Sequence, residues 1–67
     1  MYNHLYSLVL TGFHKNYSKD FFSRESAMET MYDLMTRYHL KLKKIYDDKH
    51  DKTYICTNGA EFHINRY

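Results

Sequence analysis

Two periods of apolar residues alternate along this chain, and the changes between them mark its elements. From Asn3 to Gly12 the period is two. His4, Tyr6, Leu8 and Leu10 share one face, and Leu5, Ser7, Val9 and Thr11 share the other. Both faces are partly apolar, which predicts an inner strand of a sheet, ended by Gly12. Phe13 to Asp20 is polar and reads as a turn. Phe21 and Phe22 then predict a short second strand or a cover over the end of the core.

From Ser23 the period changes to that of a helix. Ser23 suits an N-cap, and Glu25 falls in the first turn, where the helix dipole favours a carboxylate. Ala27, Met28, Met31, Leu34, Met35 and Tyr38 gather within an arc of about 120°, and Glu25, Ser26, Glu29, Thr30, Asp33, Thr36 and Arg37 fill the opposite side. The pattern predicts an amphipathic helix over residues 24–38 with one wall to bury. The methionines read as core filler because they share that wall with Ala27 and Leu34.

The alternation then returns. Leu40, Leu42, Ile45 and Tyr46 stand among Lys41, Lys43 and Lys44, and the step from 42 to 45 breaks the two-residue period, which a β-bulge repairs. A polar connection follows over residues 47–52. Asn58-Gly59 then lies between two runs rich in β-branched and aromatic residues, the signature of a type I′ hairpin turn, because both turn residues need a positive φ. A two-residue loop pairs Thr57 with Ala60, Cys56 with Glu61, Ile55 with Phe62, Tyr54 with His63 and Thr53 with Ile64. On that register Ile55, Ala60, Phe62 and Ile64 face the helix. Tyr54, Cys56, Glu61, His63 and Tyr67 project from the other side. The expected architecture is α+β, with one helix across a three- to four-strand antiparallel sheet in the order β-(β)-α-β-β-β, as a single domain over residues 1–67.

Composition narrows the function classes. A chain of 67 residues has a thin core and little room for a deep ligand pocket. One cysteine excludes an intrachain disulfide, and 43% hydrophobic with 18% aromatic residues argues against disorder. No apolar run is long enough to cross a bilayer as a helix, and Met1 to Gly12 carries no Lys or Arg ahead of its short apolar patch, so it does not read as a signal peptide. With one thiol, the expected location is the cytoplasm. The net charge of +2 is too small to imply nucleic acid. Its distribution says more. Residues 15–38 balance four cations against four acids, whereas residues 39–52 carry five Lys (41, 43, 44, 49 and 52) and three Asp (47, 48 and 51).

Several constellations bear on chemistry. Cys56, Glu61 and His63 share a face on the expected register, but their spacing matches no structural zinc pattern, and no metal or cofactor is expected. Cys56 near a histidine resembles the start of a thiol nucleophile. A flat sheet face lacks the cleft, the orienting third group and the oxyanion donors that such chemistry needs, so no catalytic residue is assigned and the chain does not read as an enzyme. The five histidines have no helical metal spacing. Lys41, Lys43, Lys44, Lys52 and Arg66 beside Tyr54 fit a sheet that stacks single-stranded bases. The same lysines fit an edge strand guarded against unwanted pairing. Eight tyrosines exceed what so small a core can hide, and surface tyrosine grips protein partners at low entropic cost.

The stretch after the helix carries Lys52, Thr53, Tyr54, Cys56, Asn58, Gly59, Phe62, Ile64 and Arg66 in the order Lys-Thr-Tyr-x-Cys-x-Asn-Gly, then an aromatic-x-Ile-x-Arg strand. Together with the helix and the Lys-rich strand before it, this resembles short proteins encoded in phages and prophages of Gram-positive bacteria. The resemblance implies an accessory protein that inhibits host defence, as anti-CRISPR proteins do. The leading expectation is therefore a stoichiometric inhibitor of a host protein or nucleoprotein complex, gripping it through Tyr54, His63, Tyr67, Lys43 and Lys44. The alternative is a single-stranded nucleic-acid module on the same face, and self-association through an open sheet edge is a further expectation.

Overall fold

The computed structural model describes residues 5–14, 16–48 and 51–66. The chain forms strands β1 (Tyr6–Thr11) and β2 (Tyr17–Phe21), helix α1 (Arg24–Arg37), and strands β3 (Leu42–Asp47), β4 (Asp51–Cys56) and β5 (Glu61–Arg66). The strands make one antiparallel sheet in the order β2-β1-β5-β4-β3. The α+β class and the element order agree with the sequence pattern, and the sheet has five strands where three to four are expected. The added breadth comes from β2. Tyr17 and Phe21 pack against the core from a row that also holds Lys19, whose ammonium lies 5.5 Å from the Phe21 ring. That charged residue in the middle makes the strand read as a turn.

Helix α1 starts and stops by local chemistry. Ser23 is the N-cap, and its hydroxyl accepts from the Ser26 N–H at 3.1 Å. At the other end His39 takes a left-handed φ of 57°, its N–H donates to Thr36 O, and the Leu40 N–H donates to Met35 O at 2.8 Å. This is a Schellman closure, with histidine in the place glycine usually takes. Leu40 is buried beyond the cap. The helix lies over β1 and β2 and carries the chain from one edge strand to the other.

One apolar cluster joins the layers. Ala27, Met31, Leu34 and Met35 from the helix meet Leu8 and Leu10 of β1, Phe62 and Ile64 of β5, and Tyr54 and Cys56 of β4. Phe62 is wholly buried, a contribution of about 2–3 kcal/mol. The helix wall and the Ala60, Phe62 and Ile64 row lie where the pattern puts them.

The other hairpin row does not. Tyr54 pairs with Phe62, Ile55 with Glu61, Thr53 with His63 and Lys52 with Ile64, one residue away from the expected pairing. Tyr54 (3% exposed) and Cys56 are therefore inside, and Ile55 is on the outer side. The turn itself is of the expected kind: Asn58 (φ 66°) and Gly59 (φ 79°) are both left-handed. The shift arises just before it. Cys56 N–H, rather than Thr57 N–H, donates to Ala60 O at 2.8 Å, and Thr57 N–H turns away to Lys41 O at 2.9 Å. The Thr57 hydroxyl accepts from Lys41 N–H at 3.2 Å. Cys56 and Thr57 thus oppose one residue, Ala60, and the extra residue reverses the faces of β4. The expected irregularity in the Lys-rich strand is present, between Leu42 and Lys44.

Gly12 lies at the end of β1 with φ 72°, and a Cβ built on it would collide with the Gly59 carbonyl oxygen. A Cβ on Gly59 meets only Gly12 O, at 3.5 Å. Gly12→Ala is expected to destabilise the fold by about 2 kcal/mol or more, from clash added to left-handed strain, and Gly59→Ala by about 1 kcal/mol from strain alone. Urea unfolding of the two variants checks the order.

Candidate functional site: the outer sheet face

The sheet has one covered side. On the other, no described helix or loop overlies the rows Ser7-Val9-Thr11, Asn65-His63-Glu61, Asp51-Thr53-Ile55 and Tyr46-Lys44, which adjoin one another by the strand registers. Alternation places these residues here because their neighbours in sequence fill the core. Tyr46 is 50% exposed, and the Lys44 ammonium lies 4.8 Å from its ring centre.

His63 holds the centre. It stands opposite Val9 of β1 and Thr53 of β4. The Thr11 hydroxyl is 3.2 Å from its Nε2, the Thr53 hydroxyl 3.3 Å from its Nδ1, and a Glu61 carboxylate oxygen 3.5 Å from Nε2. Two hydroxyls, each able to donate or accept, hold the ring whichever nitrogen carries the proton. The arrangement fixes the imidazole as a rigid, half-exposed feature (side chain 32% exposed) on an open surface. Cys56, on the opposite side of the sheet, is outside its reach, so the Cys56, Glu61 and His63 grouping of the expected register is not assembled. Among the described residues no three His, Cys, Asp or Glu are grouped so as to hold a metal ion.

The residues singled out from the sequence divide between places. His63 and Lys44 share the outer face. Lys43 is exposed at the bulge of β3. Tyr54 is in the core and offers no surface to a partner, a correction that follows from the Thr57 bulge. Tyr67 lies outside the described residues. The cation set does not gather on one face. Lys41 ties its backbone to Thr57, Lys52 reaches Asp47 at 3.8 Å, and Arg66 lines a cleft of about 110 Å³ with Arg24, Asp47, Asp48, Asp51 and Lys52. That cleft mixes three acids with three bases, so its formal charges balance. Missed from the sequence are Ile55 and Thr53, which reach this face only because β4 is reversed. Tyr46 was one of eight tyrosines, with nothing in its neighbourhood to single it out.

Comparison with known protein families, with curated proteins and with solved structures finds no match. No described helix is long and apolar enough to cross a membrane.

Cys56 provides a chemical test of the face assignment. Burial pushes its thiol above the ordinary range, because the thiolate would lose its water. The folded state therefore holds the proton more tightly than the unfolded state. This contribution to stability is full below the unfolded thiol's pKa of about 8.5 and is lost as pH rises through the higher folded value. The expected outcome is a folded protein that resists thiol reagents at pH 8 and is labelled only as it unfolds. Its stability should fall above pH 9 more steeply than that of Cys56→Ala. Rapid labelling of the folded protein would place the thiol outside.

Proposed function

We propose that the chain is a binding protein that acts stoichiometrically on a host protein or nucleoprotein complex in the cytoplasm, as an inhibitor of the anti-CRISPR kind. The contact surface is the outer sheet face. One observation carries this reading: a rigid surface with apolar, aromatic, cationic and imidazole side chains is left without a covering layer among the described residues. Stoichiometric inhibition needs a shaped surface and no deep pocket, which a chain of 67 residues can supply. The resemblance of the hairpin stretch to phage and prophage proteins supports a host target. The corrected contact set is His63, Lys44, Tyr46, Ile55 and Val9, with Lys43 at its margin. The placement of Lys52 and Arg66 in the mixed cleft, away from this face, favours a protein partner over single-stranded nucleic acid.

The test is affinity capture from a Gram-positive host lysate, with and without nuclease, using the parent chain and the variants Ile55→Glu and His63→Ala as bait. A partner that survives nuclease and is weakened at least about tenfold by either substitution, with the circular dichroism spectrum unchanged, is the expected outcome. Equal capture by all three baits contradicts the proposed surface. Tight binding of single-stranded oligonucleotides that collapses steeply with salt would move the function to nucleic acid.

A further inference from the structure

Strand β3 is one of the two open edges of the sheet, and all six of its residues are exposed. Leu42, Ile45 and Tyr46 are 41%, 48% and 50% exposed, an unusual load of apolar surface for an unpaired edge. The bulge is confined to its first half, between Leu42 and Lys44. From Lys44 onward the ladder with β4 is regular.

The hydrogen-bond phase of that ladder says which backbone groups are free to pair outward. Asp48 N–H donates to Asp51 O at 2.8 Å, so this pair faces inward, toward β4. Antiparallel pairs alternate, so Tyr46 and Lys44 also bond to β4, while Ile45 and Asp47 turn their N–H and C=O groups to the open edge. The charge order along the same segment has a direction. Lys41, Lys43 and Lys44 precede Ile45-Tyr46, and Asp47 and Asp48 follow.

We infer that β3 is a homodimerisation edge, pairing antiparallel with β3 of a second copy about a two-fold axis at Tyr46. The backbone phase selects this register, because it sets Ile45 of one copy against Asp47 of the other, each with outward donors and acceptors, and does so twice by symmetry. Tyr46 then faces its own mate at the close, non-hydrogen-bonded position. On the same face Lys44 of each copy faces Asp48 of the other. On the opposite face the two Ile45 side chains are diagonal neighbours over the axis. The strand's basic-to-acidic order makes it complementary to itself when antiparallel. A parallel copy would set lysine on lysine. Lys44, in the middle of that edge, thereby gains an acidic partner across the axis. The result is one sheet running through both copies, with the two outer faces side by side.

Sedimentation equilibrium from micromolar concentrations to about 1 mM, on the full chain at low salt, reads the association. A monomer–dimer equilibrium is expected. Lys44→Asp alone sets like charges opposite each other, and so does Asp48→Lys alone. Each should weaken the dimer at least about tenfold, and combining the two should restore it. Asp47→Pro removes an N–H that no described strand of the same copy uses, so it should abolish the dimer while the circular dichroism spectrum is kept. A monomer throughout the range overturns the inference. So does a dimer indifferent to the charge reversals, or open-ended polymers that signal β3 pairing with the β2 edge.

Discussion

The amide of Thr57 has two places to go, and the structure follows from its choice. In a plain two-residue hairpin it would donate to Ala60 across the turn. Here it donates to Lys41, and the Thr57 hydroxyl takes the Lys41 N–H in return. Apolar burial does not decide between these alternatives. Exchanging the rows would bring Ile55 into the core in place of Tyr54, and each is worth about 2–3 kcal/mol when buried. Two hydrogen bonds of about 1 kcal/mol each, fixing the start of β3 against the hairpin tip, are enough to tip that balance. With the row set, Tyr54 and Cys56 complete the core over Phe62, and Thr53 arrives beside His63.

One helix over a five-strand sheet leaves consequences that a larger protein would hide. The helix covers β1 and β2 on one side, and among the described residues nothing covers the other side or pairs with the open margin of either edge strand. The chemistry of the chain is then the chemistry of its surfaces. The half-exposed His63, held by two threonines, and the Lys44–Tyr46 pair are features of a contact face. The mixed cleft near Arg24 and Arg66 cancels its own charge.

Much of this architecture is legible without coordinates, where local rules act alone. The Ser23 cap, the Ala27 to Tyr38 wall, the bulge of the Lys-rich strand and the positive φ at Asn58 and Gly59 all depend on neighbours within a few residues. The face of β4 does not. Thr53-Tyr54-Ile55-Cys56-Thr57 has apolar side chains on both rows, so alternation fails to choose. The residue that chooses, Lys41, is sixteen positions away in sequence. The same tertiary contact explains why His63 was legible as an outward residue but its companions Ile55 and Thr53 were not. Strand β2 is obscured by Lys19, whose charge in the middle of the row between Tyr17 and Phe21 reads as loop.

The register of β4 against β5 is open to direct observation by nuclear Overhauser effects between α-protons, which are strongest across non-hydrogen-bonded antiparallel pairs. Because Cys56 bonds to Ala60, those close pairs are Ile55 with Glu61 and Thr53 with His63, and strong cross-peaks are predicted for both. Strong cross-peaks instead between Cys56 and Glu61 and between Tyr54 and His63 would return the hairpin to a plain two-residue loop and contradict the account.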